Sequence, residues 1–104
     1  MSIYLGNAFS LQMLDPDISN TIQVDPVDLN EVAKADFISM VGHADTAIIL
    51  SRILGRKVVM NRASHRLTKE DVYYVAQVVG GRLPEGTTVL PEGKKMRFFK
   101  VTLI

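Results

Sequence analysis

The sequence predicts a single α/β domain, residues 1–104, whose mixed β-sheet has about five or six strands and two or three helices. Three observations predict this fold class. A chain of 104 residues has the length of one domain. Its content of 47% hydrophobic and 22% charged residues is that of a globular protein. Short β-branched or aromatic runs alternate with segments of helical periodicity.

The first half of the chain predicts short strands and one helix. The predicted strands are residues 2–8, 21–24 and 36–41. A helical turn follows the first strand, because Phe9, Met13 and Leu14 recur at helical spacing. Asp25 is predicted to cap a helix that runs to about Lys34. Pro26 would take its first position, where the missing N–H costs nothing.

The second half predicts one long helix and three strands. Residues 44–54 carry apolar side chains at helical spacing, and Gly55 can adopt the left-handed conformation that ends a helix. The predicted strands are residues 56–60, 71–79 and 96–104. A polar turn or a ragged hairpin is expected at residues 61–69. Two glycines and two prolines predict a mobile loop at residues 82–95.

Composition excludes several classes of function. The absence of cysteine excludes disulfides, thiolate metal sites and a cysteine nucleophile. There is no His-x-x-x-His pair and no Gly-rich phosphate loop, so we expect neither a metal site nor a cofactor. No apolar run reaches about 18 residues, and the first residues do not resemble a signal peptide. We therefore expect a cytoplasmic protein without a membrane partner, in the host cell if the protein is viral.

The charges are unevenly distributed along the chain. Residues 1–51 contain seven acidic residues and one basic residue, a net charge of −6. Residues 52–69 contain six basic residues and no acidic one, a net charge of +6. This basic segment is suited to a phosphate-bearing ligand, or it is a solvated surface that balances the acidic half of the fold.

His43 is the first candidate for chemistry. It lies between a predicted strand and the N-terminus of the predicted helix 44–54, where backbone N–H groups and the helix dipole favour an anion. Gly42 before it lets the backbone approach a ligand closely. A histidine in this place can exchange a proton with a phosphate. The alternative is a helix-start residue that hydrogen-bonds its own backbone. We interpret His65, in the polar turn, as a solvated surface residue.

Two further groups of polar residues are candidates. Arg82 and Glu85 lie in the Gly/Pro-rich loop after a hydrophobic strand, which is typical of a movable lid. The alternative is a loop whose charges only keep it solvated. Asn7, Ser10 and Gln12 follow the first strand, where α/β folds place ligand-binding groups. Their alternative role is to cap the next helical turn.

Four segments carry a resemblance: LGNAFSLQML (5–14), SMVGHADT (39–46), NR (61–62) and RLPEG (82–86). Together they resemble one family, the anti-CRISPR ring nucleases of type III CRISPR systems, which include viral, phage and host-encoded members. The resemblance implies a homodimer that binds cyclic tetra-adenylate and cleaves it without metal to linear di-adenylate with a 2′,3′-cyclic phosphate. It implies that His43 is catalytic, with Arg82 and Glu85 as its helpers. The residues it implies for ring binding are Asn7, Ser10, Gln12, Gly42, Arg62 and Gln77.

The residues are compatible with this chemistry, and two other functions stay open. Attack by an adjacent 2′-hydroxyl needs in-line geometry, proton transfer and charge stabilisation, which a histidine, an arginine and a carboxylate supply. Whether His43 is the acid or the base is open. One alternative is a protein that sequesters a cyclic nucleotide without cutting it. The other is a nucleic-acid-binding regulator that uses residues 52–69, although that segment has no interleaved aromatic residue, so we expect no DNA partner.

Overall fold

A five-stranded mixed sheet is the centre of the fold in the computed structural model, which describes residues 2–63 and 65–104. Its strands are β1 (Ile3–Gly6), β2 (Ile22–Val27), β3 (Ile38–Ser39), β4 (Val72–Val79) and β5 (Lys95–Leu103). Their order across the sheet is β2-β5-β4-β1-β3. β1 is parallel to both of its neighbours, whereas β5 is antiparallel to both of its own. The predicted α/β class with a mixed sheet is confirmed.

Two α-helices and one short 3-10 helix complete the fold. They are α1 (Leu29–Lys34), α2 (Ala44–Leu54) and the 3-10 helix Leu11–Met13. The bounds of α2 agree with the prediction. Gly55 has a φ of 67°, so the helix ends in the left-handed conformation that glycine adopts at no steric cost.

The predicted start of the first helix is wrong. Asp25 and Pro26 belong to β2, and Pro26 is opposite Phe99 of β5. β2 is at the edge of the sheet, and an edge strand tolerates proline because the N–H that proline lacks is not needed for pairing with a neighbouring strand. Asp28 caps α1 instead, and its carboxylate accepts a hydrogen bond from the backbone N–H of Glu31 at 2.9 Å.

The predicted strand at residues 56–60 is also wrong. Only Met60 forms a bridge, with Val41, and the predicted strand 36–41 is reduced to β3. Side chains replace the ladder between these segments. The Ser39 hydroxyl donates to the Val59 carbonyl at 2.6 Å, and the Asn61 amide donates to the Ser39 carbonyl at 2.8 Å. Hydrogen bonds of this kind leave no periodic pattern in a sequence.

Both faces of the sheet are covered by apolar side chains. One core cluster includes Leu5, Leu50 and Tyr74 and packs beneath the two α-helices. The other includes Tyr4, Met13 and Tyr73 and lies under the 3-10 helix and Leu67. Neighbouring residues of β4 alternate between the two clusters because successive strand side chains point to opposite faces. Within the described residues, no helix has the length and apolar character needed to cross a membrane.

Candidate functional site

The chain leaves the carboxyl end of β1 in a fixed direction. A Cβ at Gly6 would overlap the hydroxyl of Tyr73, so glycine is needed for the close approach of β1 to this buried ring. The Tyr73 hydroxyl in turn donates to the backbone carbonyl of Ala8. Burial raises the pKa of Tyr73 to about 12. The phenol therefore remains a hydrogen-bond donor at neutral pH and holds the segment after β1 in place.

Asn7 joins the end of β1 to the segment before α2. β1 and β3 are parallel neighbours, so their carboxyl ends meet at the same edge of the sheet. The Asn7 side-chain oxygen accepts a hydrogen bond from the backbone N–H of Gly42 at 3.3 Å. Arg62 donates from Nε to the Gly42 carbonyl at 2.9 Å. Gly42 is thereby held from both sides, directly before His43.

His43 is the N-cap residue of α2, but its side chain makes no capping hydrogen bond. Its backbone is extended, with a φ of −130°, and its carbonyl accepts the first helical hydrogen bond, from Ala47. The alternative in which the imidazole caps its own helix is therefore not realised. The side chain is exposed and lines two cavities at the positive end of the helix dipole.

Ser10 takes the capping role that the sequence left open. Its hydroxyl accepts from the backbone N–H of Gln12 at 3.2 Å and caps the 3-10 helix. Ser10 and Gln12 nevertheless line the same cavity as His43. Ser10 therefore both caps the 3-10 helix and lines the cavity.

The loop between β4 and β5 contains two hydrogen-bonded turns. In the first, the N–H of Thr87 donates to the carbonyl of Pro84 at 3.2 Å, and Gly86 has a φ of 84°. Such a turn requires glycine at its third position and exposes Glu85 at its second. The second turn is closed by Lys94 N–H and the Pro91 carbonyl at 3.1 Å. The loop thus has more internal structure than its glycine and proline content indicated.

Two side chains hold this loop in place. The Asp45 carboxylate, in the first turn of α2, accepts from the backbone N–H of Gly86 at 3.0 Å. The Lys94 ammonium donates to the carbonyl of Gly80 at 2.7 Å and closes the base of the loop. The turn that carries Glu85 consequently lies next to the start of α2.

Two adjoining cavities are lined by the nine residues that the sequence predicted to be catalytic or ligand-binding. The larger, of about 1020 Å³, is lined among others by Asn7, His43, Gln77, Arg82 and Glu85. The smaller, of about 340 Å³, is lined among others by Asn7, Ser10, Gln12, Gly42, His43 and Arg62. Asn7 and His43 belong to both. We treat the two as one candidate site, which we call the shared cavity.

The composition of the shared cavity determines which chemistry it can perform. Within residues 2–63 and 65–104, the side chains of His43, Arg82 and Glu85 have no ion-pair partner within 4.0 Å. An imidazole for proton transfer, a guanidinium for anionic oxygens and amides for heterocycle edges therefore face one space. Over the same residues, no group of three or more His, Asp or Glu side chains is placed to hold a metal.

Sequence reasoning missed two contributors to the shared cavity. Asp45 was not singled out, although an acidic residue in the first turn of a helix is a recognisable signal. Tyr73 lines the smaller cavity and orients the segment after β1, but in the sequence it is one aromatic residue of a strand. Its role depends on the close approach to Gly6, which no local pattern reveals.

His65 lies outside the shared cavity. Its Nε2 is 3.4 Å from the Asp71 carboxylate, and its ring stacks on Tyr4 with centroids 4.6 Å apart. Burial acts to raise the pKa of Asp71, but hydrogen bonds from Thr68, Ser2 and His65 outweigh it and hold the pKa below its ordinary value. His65 is therefore part of a structural cluster rather than a fully solvated residue.

Comparisons with known proteins give a matching family model and a similar solved structure. A family model described as STIV B116-like matches residues 3–97. The solved structure of B116 of Sulfolobus turreted icosahedral virus (STIV) is similar, with a TM-score of 0.76 and 24% sequence identity. The similarity covers 98% of this chain and 99% of B116. At this identity the match shows the fold alone. No curated protein matches the chain.

These findings correct the family that the four sequence motifs indicated. The matching family model is the STIV B116-like one, and neither it nor the structural match identifies a ring nuclease family. Short blocks of two to ten residues are a weaker criterion than a model that spans residues 3–97. The assignment to the anti-CRISPR ring nucleases is therefore wrong.

Proposed function

The chain belongs to the STIV B116-like family, and from the geometry of the shared cavity we propose that it is a metal-independent phosphodiesterase of cyclic oligoadenylate. The proposed substrate is cyclic tetra-adenylate. The products would be linear di-adenylates that end in a 2′,3′-cyclic phosphate. Removal of this messenger would switch off or evade type III CRISPR defence.

One observation carries the proposal. His43, Arg82, Glu85 and Gln77 come from three separate parts of the sequence and line one cavity of about 1020 Å³. The smaller cavity extends the same space with amide and hydroxyl side chains and with Arg62. Recognition of a cyclic oligonucleotide needs cationic groups for phosphates and amide edges for bases. The shared cavity offers both around an imidazole.

The proposed reaction balances without a protein nucleophile. The oxygen of a 2′-hydroxyl attacks the adjacent phosphorus, and the bond from phosphorus to the 5′-oxygen breaks. One proton leaves the 2′-hydroxyl and one is delivered to the departing 5′-oxygen. His43 performs one of these transfers, and Arg82 stabilises the charge on the phosphorane oxygens. Glu85 orients His43 or stabilises its protonated form.

A second copy of the chain is part of the proposal. A single chain of 104 residues is small for enclosing a ring of four nucleotides. A two-fold dimer would present two equivalent sites to a ring with matching symmetry, and each site would cut once. We propose that the protein acts as this homodimer in the cytoplasm of the cell in which the messenger is made.

The direct test is cleavage of cyclic tetra-adenylate in excess EDTA, with the products resolved by chromatography and identified by mass. We expect linear di-adenylate with a 2′,3′-cyclic phosphate. A matched sample of the His43→Ala variant controls for a contaminating nuclease. Cleavage that stops in EDTA and returns with magnesium would refute the proposed mechanism.

Binding of the ring without any cleavage would instead identify a sequestering protein. Isothermal titration with the same ligand separates this outcome from the absence of any interaction. The alternative of a nucleic-acid regulator is weakened by the roles of two of its basic residues. Arg56 donates to the Ala33 and Ala35 carbonyls and stacks on Phe37, and Arg62 is bonded to Gly42.

A further inference from the structure

We propose that Asp45 is a positioning residue for Glu85 and Arg82. Its carboxylate holds the turn of residues 84–87 against the first turn of α2, beside His43. This inference rests on the proposed function for its catalytic consequence, but the contact itself is a property of the free protein.

The first argument is the asymmetry of the loop's anchorage. At its base, β4 and β5 pair continuously up to Val79 and Lys95, and Lys94 bonds to Gly80. At its far end, the hydrogen bonds recorded for the turn lie within the turn itself, except for the one from Gly86 to Asp45. Among the hydrogen bonds of the described residues, the one to the Asp45 carboxylate therefore joins the turn to α2.

The second argument is the place of the contact in the chain. Asp45 is two residues after His43, and Gly86 directly follows Glu85. The hydrogen bond of 3.0 Å consequently joins the two segments that carry the proposed acid–base group and its carboxylate helper. Displacement of the turn would move Glu85, and with it the nearby Arg82, relative to His43. All three residues line the same cavity. Proton transfer and phosphorane stabilisation are sensitive to displacements of this kind.

The third argument is that the contact has an electrostatic disadvantage. Asp45 places a negative charge in a cavity proposed to receive a polyanion, at a helix terminus that otherwise favours anions. A carboxylate there weakens ground-state binding by repulsion. For the proposed reaction its benefit therefore comes from the hydrogen bond to Gly86, whereas the charge stabilises the start of α2 through the helix dipole. An amide in the same place would keep the acceptor oxygen and remove the repulsion.

Two variants separate the hydrogen bond from the charge. Asp45→Ala removes both, whereas Asp45→Asn keeps an acceptor oxygen for Gly86. Amide hydrogen exchange of the free protein, resolved at Gly86, measures the contact without any ligand. We expect exchange at Gly86 to accelerate by about tenfold in Asp45→Ala, the scale of one hydrogen bond. Asp45→Asn should stay within about threefold of the wild type.

Cleavage of cyclic tetra-adenylate then measures the consequence. Asp45→Ala should lower kcat by about tenfold or more with little rise in KM, and Asp45→Asn should restore kcat to within about threefold. Glu92→Ala is the matched control, because Glu92 is an exposed acid of the same loop that does not line the larger cavity. We expect it to leave both measurements unchanged.

Three results would overturn the inference. Unchanged exchange at Gly86 in Asp45→Ala would show that the carboxylate does not hold the turn. A kcat in Asp45→Asn as low as in Asp45→Ala, with Gly86 still protected, would show that the charge acts and not the position. Faster exchange at Gly86 with unchanged kcat would show that the position does not matter. If the wild type cleaves nothing, the proposed function has failed, and exchange at Gly86 still decides whether Asp45 holds the turn.

Discussion

The start of α2 and the loop between β4 and β5 both contribute to the shared cavity, but they are held in place by different forces. α2 buries Ala47, Leu50 and Leu54 in the core cluster that it shares with the sheet, so His43 lies at the start of an element fixed by core packing. The loop has no residue that belongs to either core cluster. Its position depends on individual hydrogen bonds: Lys94 bonds to Gly80 across the base of the loop, and Gly86 bonds to Asp45 of α2.

This difference suggests separate roles for the helix and the loop in the proposed function. A helix fixed by apolar burial gives an imidazole a constant position, at a free-energy cost to displacement of several kcal/mol. A loop held by a few hydrogen bonds, each worth about 1 kcal/mol, can open and close at little cost. We therefore expect α2 to define where proton transfer occurs. The loop would control access and complete the charge stabilisation.

Truncation of one buried side chain gives the largest expected effect. Leu50 is fully buried in α2, so Leu50→Ala should lower the free energy of unfolding by about 2–5 kcal/mol. Val89 is a loop residue of which 59% is exposed, and Val89→Ala should change it by less than about 0.5 kcal/mol. Urea unfolding followed by circular dichroism measures both. Equal losses would show that the loop is packed as firmly as the helix.

Removal of the imidazole tests the helix side of the site. His43→Ala should slow single-turnover cleavage of cyclic tetra-adenylate by about 10²-fold or more, while binding largely survives. His65→Gln is the control, because His65 lines neither cavity and should leave the rate near that of the wild type. A His43→Ala variant with near-normal turnover would remove His43 from the mechanism.

Removal of the two charged side chains of the loop, Arg82 and Glu85, tests the loop side of the site. Arg82→Ala should weaken both binding and cleavage, each by about tenfold, because a guanidinium contacts phosphate in the ground state and in the transition state. Glu85→Ala should mainly lower the cleavage rate, since a carboxylate gains nothing from a polyanion in the ground state. Titration calorimetry in a His43→Ala background isolates binding from turnover. Equal binding losses in the two variants would contradict these separate roles.

Lowering the pH should have the smallest effect. It tests the stability contribution of Asp71, which lies outside the loop. Hydrogen bonds from the N–H groups of Ser2 and Thr68 favour the ionised form of Asp71, whose pKa lies below its ordinary value of 3.8. Its contribution to stability is thus fully present above that value and is lost as the pH falls through the lower folded pKa. The difference in unfolding free energy between wild type and Asp71→Asn should shrink over this acid range. A constant difference would contradict the lowered pKa.

The sequence predicted the packed parts of the fold better than the parts held by side-chain hydrogen bonds. The apolar periodicity of α2 and the β-branched run of β4 lead directly to elements close to their observed bounds. Pro26 was misplaced because its tolerance in β2 depends on that strand being at an edge, a fact of topology.

The candidate site shows the same division. All nine predicted residues line the shared cavity. The local sequence indicated seven of them, whereas Arg62 and Gln77 came from the family resemblance. The sequence did not reveal Asp45 as the partner of Gly86, because the contact spans 41 residues and joins a side chain to a backbone N–H. Nor did it reveal the contact of Tyr73 with Ala8, which depends on the space that Gly6 leaves.

Hydrogen exchange with and without cyclic tetra-adenylate tests most directly whether the start of α2 and the loop form one binding site. The His43→Ala variant is used so that the ligand stays intact. We predict slower exchange of the backbone N–H groups both at residues 42–46 and across residues 82–95 when the ring is bound, with the larger change in the loop. Protection of residues 42–46 alone would show that the loop does not close on the ligand. Equal exchange with and without the ring in both segments would contradict the proposed site.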